Sequence, residues 1–198
     1  TVAEHILEWS ATPGVVARER QRLGALVLDD APLRHVPGEE VAELVAKEVR
    51  RRGLGLLPRA EDADSLRQRV MFARSIDASL PDFSDAALLA SVDEWLAPHL
   101  RGVRRLDDLA RVDVQALLIA RLSWPERQRL DQLAPTHLGV PSGSRLPIDY
   151  ANPAAPALAV RLQEMFGLTE SPRVGGGRVP VTLHLLSPAH RPVQVTRH

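Results

Sequence analysis

The spacing of the apolar residues changes twice along this 198-residue chain, and that change restricts it to a mixed fold. Residues 4–36 hold short apolar runs separated by turn signals. His5-Ile6-Leu7-Glu8-Trp9 is followed by Thr12-Pro13-Gly14, then by Val15 to Leu28, and Asp29-Asp30-Ala31-Pro32 closes the stretch. Helical propensity competes over 15–23, but Gly24 and the β-branched residues favour a hairpin. Residues 37–134 switch to helical spacing. A helix opens at Pro37-Gly38-Glu39-Glu40 with Val41, Leu44, Val45 and Val49 on one face, and its charges suit the helix dipole, acidic at the start and Arg50-Arg51-Arg52 at the end. A second runs from about Glu61 to Ile76. A third is capped by Ser84, carries the stripe Leu88, Leu89, Val92, Trp95 and Leu96, and ends at Pro98. Two more cover about 113–122 and 125–133, separated at Pro125.

From residue 135 onward Pro, Gly and β-branched residues become frequent. Leu146 to Tyr150 and Val179 to Leu186 read as strands, and Val140 to Arg145 as a tight turn leading into the first of them. Ala157 to Phe166 is divided: Ala159-Val160 suits a strand, whereas Arg161 to Phe166 suits a helix ended by Gly167. The expected class is therefore α+β, with an N-terminal β-hairpin within a ribbon over 1–36, a central helical region over 37–134, and a β-rich C-terminal domain over 135–198.

Composition narrows the function classes. The chain has no Cys, which excludes disulfides and cysteine nucleophiles. The 25 basic and 25 acidic residues balance, so bulk charge alone does not attract nucleic acid. Lys47 is the only lysine and the other 24 of the 25 Lys and Arg residues are Arg, a ratio that reflects a GC-rich genome more than a function, although Arg also suits phosphate contacts. No apolar run approaches the roughly 20 residues of a membrane helix and no signal peptide opens the chain, so a cytoplasmic location is expected. The chain starts at Thr1 without Met, as an excised fragment would.

A catalytic constellation is missing. Gly175-Gly176-Gly177-Arg178 lacks the Lys-Ser or Lys-Thr that a phosphate loop needs, and reads as a hairpin turn. Asp93-Glu94-Trp95-Leu96 lies on an amphipathic helix, as core plus solvated acids. The seven histidines show no metal spacing, and Ser142 and Ser187 lack a nucleophile-elbow context. No metal site and no cofactor are expected in the chain itself.

Arginine groupings remain as candidates for phosphate contact. Arg18, Arg20 and Arg22 alternate, so a strand carries them on one face. Arg50-Arg51-Arg52 ends a helix, where the dipole already accounts for it. Arg101, Arg104 and Arg105 follow His99-Leu100 in a loop, and Arg145 follows Gly143, which allows close approach of an anion. Trp95 and Trp124 fit helix cores better than stacking platforms.

The second half resembles the C-terminal region of the HrpB family of bacterial DEAH-type ATP-dependent helicases. The residues that carry the resemblance are Glu94-Trp95-Leu96-Ala97-Pro98-His99-Leu100, Leu122-Ser123-Trp124, Ala134-Pro135-Thr136-His137 and Val140-Pro141-Ser142-Gly143-Ser144-Arg145. Pro156 to Gly167 is the most specific stretch, and Gly177-Arg178-Val179-Pro180-Val181 with Arg191 to Thr196 completes the series. They match in order and spacing over about 95–197; the first 90 residues match more loosely. The family pattern continues beyond Arg197 with an Asp, a Phe-Trp pair and a basic tail.

The resemblance implies a non-catalytic accessory region in which residues 1–36 end an OB-like portion and 135–198 form a family-specific domain. It also implies a parent that is an ATP-dependent RNA helicase, a nucleoside-triphosphate hydrolase using ATP and Mg2+. The implied partners are single-stranded RNA or other nucleic acid and the parent's own motor domains, with no membrane involved. The alternative is a scaffold or protein-interaction module that packs on the motor or recruits a partner. One contiguous Arg face favours nucleic acid; scattered Arg paired with Asp and Glu favours the scaffold.

Overall fold

The computed structural model describes residues 2–10, 14–23, 25–32, 37–58, 61–103, 106–168, 170–186 and 192–196. Three strands come first: β1 (Val2–Ser10), β2 (Gly14–Leu23) and β3 (Leu26–Pro32). Six helices follow: α1 (Gly38–Arg52), α2 (Glu61–Ile76), α3 (Asp85–Ala90), α4 (Val92–Trp95), α5 (Val114–Ala120) and α6 (Trp124–Leu133). The remaining strands are β4 (His137–Gly139), β5 (Arg145–Asp149), β6 (Ala157–Arg161), β7 (Arg173–Val174), β8 (Val179–Pro180), β9 (Thr182–Leu186) and β10 (Pro192–Thr196). The class is α+β, as the changes of period require. Packing divides the residues into two compact units that interleave along the chain: 1–60 with 85–121, and 61–84 with 122–198.

In the first unit, β1, β2 and β3 form an antiparallel meander, so the N-terminal ribbon is three strands rather than one hairpin. Its β2–β3 register shifts between Gln21 and Arg22. Helix α1 lies against β1 and buries Val41, Ala42, Val45, Ala46 and Val49. It stops because Gly53, at φ 88°, takes a backbone conformation closed to most side chains and donates its N–H to Val49 O at 2.8 Å.

The single helix expected from Ser84 to Pro98 is instead broken at Ser91. The Ser91 hydroxyl bonds back to the Ala87 carbonyl at 2.9 Å, and the Trp95 indole N–H donates to the Leu88 carbonyl at 3.0 Å. The Ser91 N–H still donates to the Ala87 carbonyl at 3.2 Å, but the indole takes the Leu88 carbonyl that the next rung of the ladder would use, while the apolar stripe stays buried at Leu88, Val92, Trp95 and Leu96. Asp113 caps α5, accepting the Ala116 N–H at 2.9 Å.

The second unit packs α2 and α6 with a five-stranded mixed sheet in the order β10-β9-β6-β5-β4, whose one parallel pair is β6–β9. Ser123 and Glu126 start α6 with a capping box; the Ser123 N–H donates to Glu126 Oε2 at 2.7 Å. Beyond α6 four consecutive carbonyls find tertiary donors. Leu133 O accepts the Gly175 N–H at 2.7 Å, and Ala134 O accepts Arg69 Nε–H at 2.9 Å. Pro135 O accepts the Tyr150 hydroxyl at 2.8 Å, and Thr136 O accepts the Ile148 N–H at 3.0 Å. Arg69 also reaches Asp131 at 2.9 Å, and it is the only charged residue classed as buried among those described. The Tyr150 ring lies 4.9 Å from Phe72, centroid to centroid. Burial raises the Tyr150 pKa, which keeps the hydroxyl protonated as a donor.

The turn expected over Val140–Arg145 is present. Gly143, at φ 87°, donates its N–H to Val140 O at 2.9 Å, and the chain enters β5 at Arg145. The divided stretch 157–166 resolves as both: β6 over Ala157–Arg161, then a 3-10 turn over Leu162–Met165 whose Glu164 carboxylate accepts the Arg161 N–H at 3.0 Å.

Two outcomes follow for stability. Arg69→Met and Tyr150→Phe each keep the packed stem or ring and orphan one carbonyl, at a cost of about 1–3 kcal/mol apiece by urea unfolding. Asp77 accepts bonds from Ser79 and from Arg129 Nε at 2.7 Å, which lower its pKa to about 2. A lowered carboxylate pKa stabilises the fold above the unfolded value near 4 and loses that contribution as pH falls through about 2. The gap in Tm between the native chain and Asp77→Asn therefore closes as pH is lowered from about 4 to about 2.

Candidate nucleic-acid interface

Strand alternation gives the five-stranded sheet two unlike faces. Ile148 on β5 and Leu158 and Val160 on β6 are buried on one face. The other carries Arg145, Pro147 and Asp149 of β5 and Ala157, Ala159 and Arg161 of β6. Arg145, Pro147, Asp149 and Ala159 are exposed there. The register extends this face to both sides. His137 pairs with Pro147 and Gly139 with Arg145 on β4, while Thr182 pairs with Ala157, His184 with Ala159 and Leu186 with Arg161 on β9.

The result is a surface graded along the strands. One end holds Arg145 and Arg161, the middle holds His137 and His184 about small residues, and the far end holds Asp149 and Thr182. Arg145 has no ion-pair partner among the described residues. The Ser142 N–H, donating to Glu164 O at 3.4 Å, ties the turn before Arg145 to the 3-10 turn after β6. Beyond that 3-10 turn stands Phe166, 68% exposed, with Leu162 at 56%.

The expected Arg groupings fare differently. Residues 18, 20 and 22 occupy alternate positions of β2 as expected, with position 20 set between Glu4 on β1 and Asp30 on β3. Arg18 is exposed; the side chains of Arg20 and Arg22 lie outside the described residues. Arg50 pairs with Asp93, and Arg51 and Arg52 both reach Glu48, at 2.7 and 2.9 Å. Those bonds to Arg51 and Arg52 lower the Glu48 pKa. Arg101 pairs with Glu39 at 3.3 Å. Arg104 and Arg105 lie outside the described residues, as do Ser187 and His190. The groupings around 18–22, 50–52 and 101 belong to the first unit and Arg145 to the second.

Trp95 is buried as expected, but Trp124 is not: it is 68% exposed. It is the first residue of α6 after the Ser123 cap, and at that position the side chain precedes the buried stripe of Leu130 and Leu133. His137, Arg161 and His184 were not singled out from the sequence as binding residues. They come onto one face only once β4, β5, β6 and β9 are paired. Gly175 to Gly177 all have positive φ and join β7 to β8, with no helix behind them, so they do not fit a nucleotide phosphate. Among the described residues no group of three or more metal-capable side chains comes together, and no helix is long and apolar enough to cross a membrane.

An α+β fold with a five-stranded mixed sheet matches a known class. Residues 95–198 match the family described as ATP-dependent helicase C-terminal, and the chain belongs to that family. It is 39% identical over 194 residues to the ATP-dependent RNA helicase HrpB of Escherichia coli (strain K12), covering 96% of this chain and 24% of that protein. A crystal structure of the E. coli DExH-box NTPase HrpB superposes with a TM-score of 0.79 at 38% identity, over 98% of this chain and 24% of that one. A second, of the Escherichia coli DEAH/RHA helicase HrpB, gives 0.77 at 36% identity, over 100% and 26%. The chain thus spans about a quarter of the relatives it matches.

Proposed function

We propose that this chain is a non-catalytic accessory part of an ATP-dependent RNA helicase, and that it binds single-stranded nucleic acid on the open face of its five-stranded sheet. The supporting observation is the Arg145 end of that face: an exposed guanidinium with no ion-pair partner among the described residues, on the same sheet face as Arg161, with an exposed aromatic residue, Phe166, five positions along the chain from Arg161. Guanidinium groups hold phosphates and exposed aromatic rings stack bases, and together these are the two contacts a single strand needs. ATP and Mg2+ belong to the motor of the parent in this proposal. The proposed place of work is the cytoplasm.

A second function has its own support, in the first unit. Arg50, Arg51, Arg52 and Arg101 are each committed to a carboxylate, and register sets position 20 between two acidic positions. Paired charge of this kind favours packing on the motor or on a partner rather than grip on phosphate. The two roles divide between the units, with the scaffold in the first and the nucleic-acid contact in the second.

The purified chain shows no ATP turnover above a no-enzyme blank, with or without RNA; turnover above that blank refutes the non-catalytic role. Arg145→Gln weakens binding to a single-stranded RNA oligomer and lowers its log–log salt slope by about 0.7. An unchanged affinity and slope, with the fold intact by circular dichroism, leaves the scaffold as the function of both units.

A further inference from the structure

At the end of the sheet face opposite Arg145 lies an open cleft of about 420 Å³, bounded by Asp149, Asn152, Ala155, Ala157, Thr182 and His184. Its floor follows from register. Asp149 pairs with Ala157 and Ala157 with Thr182, so three neighbouring strands contribute one row of side chains. The central member is alanine, which leaves a trough between an acidic wall and a Thr-His wall. His184 stands two residues beyond Thr182 on β9, on the same face. The loop after β5 closes one end with Asn152 and Ala155.

The polar groups are held in fixed roles. Asp149 Oδ1 accepts the Ala151 N–H at 2.8 Å, which fixes the carboxylate and leaves Oδ2 without a partner among the described residues. Asn152 Oδ1 accepts the Ala154 N–H at 3.1 Å, so its amide nitrogen is left as a donor. Thr182 is 6% exposed, and its hydroxyl is buried with no hydrogen-bond partner among the described residues. A χ1 step exchanges its Oγ1 and Cγ2 and turns the hydroxyl towards an occupant.

We infer that this cleft receives one unstacked base of the bound strand, guanine in preference to the others. A carboxylate repels phosphate, so the backbone keeps to the Arg145 end, about 13 Å away at four residues of strand rise. What a carboxylate accepts is a pair of adjacent N–H donors, and among the four RNA bases guanine's Watson–Crick edge presents such a pair, N1–H with the N2 amino group. Adenine and cytosine place a ring acceptor beside their amino group, and uracil has a single N–H between two carbonyls. The alanine floor admits a flat ring, the His184 imidazole offers a stacking surface, and the Asn152 amide nitrogen supplies a donor for a base carbonyl. This site rests on the nucleic-acid function proposed above.

The test uses the whole chain with two fluorescein-labelled RNA octamers, oligo(U) and the same strand with one central guanosine. The guanosine-containing strand should bind about tenfold tighter. Asp149→Asn keeps an oxygen for the Ala151 N–H, so the turn survives; it should bring that ratio close to one without weakening oligo(U) binding, since the charge it removes repels phosphate. Arg145→Gln should weaken both strands and keep the ratio. Equal binding of the two strands by the native chain overturns the guanine cleft and leaves the nucleic-acid function standing. Should neither octamer bind, guanosine itself decides by NMR. Shifts of the Asn152 side-chain amide with guanosine and not uridine retain the cleft while the strand-binding function falls, and no shift with either overturns the cleft as well.

Discussion

The second unit depends on how four successive carbonyls at the end of α6 are satisfied. A helix leaves its last carbonyls without partners; here the carbonyl of Leu133, the last residue of α6, and those of the three residues after it are supplied from four separate places: Gly175, Arg69, Tyr150 and Ile148. Each bond joins a different element to one short segment. Arg69 brings α2, Gly175 brings the β7–β8 turn, and Tyr150 and Ile148 bring β5 and its exit. The buried guanidinium is tolerable because two acceptors share it, the Ala134 carbonyl and the Asp131 carboxylate. With residues 133–136 held in this way, β4 is placed beside β5, and His137 and Gly139 fall opposite Pro147 and Arg145. The edge of the candidate interface is thus set by backbone chemistry at a helix end.

From that anchor, the period of two does the rest. The same alternation that buries Ile148, Leu158 and Val160 turns Arg145, Asp149 and Ala159 to solvent. Small residues at the centre of the exposed face, Ala157, Ala159 and Pro147, contribute nothing to the core. Larger side chains there would have filled the face. Their size leaves a surface with arginine at one end and, at the other, a trough between Asp149 and the wall of Thr182 and His184.

Much of the fold was legible because local signals and packing agreed. The limits Glu61 to Ile76 of α2 follow from apolar spacing with an acidic first turn, and the Val140–Arg145 turn follows from Pro141 and Gly143. The break at Ser91 was not legible, because it depends on the Trp95 indole reaching the Leu88 carbonyl, a bond that no propensity encodes. Trp124 misled for a related reason: its type favours burial, but its place just after the Ser123 cap decides its exposure. Arg69 sits on the buried face of α2 among Leu66, Val70 and Ala73, where helical spacing alone expects an apolar residue. The candidate site was the least legible. It is assembled from β4, β5, β6 and β9, and the parallel β6–β9 pair joins residues more than twenty positions apart. Among the described Arg positions read from the sequence, Arg145 alone lies on that face.

A chain with no net charge can still hold a polyanion if its charges are unevenly committed. Here the commitment differs between units. In the first, arginines at 50, 51, 52 and 101 each have a carboxylate within reach, and such pairs present little field to a distant phosphate. In the second, Arg69 and Arg129 serve the fold through Asp131 and Asp77, which leaves Arg145 as an arginine that the packing does not use. An arginine with no structural task, exposed on an open sheet beside small residues and two histidines, is where recognition costs the fold least. Net charge therefore says little about this protein's partners; the distribution of unpaired charge over the exposed sheet face says more.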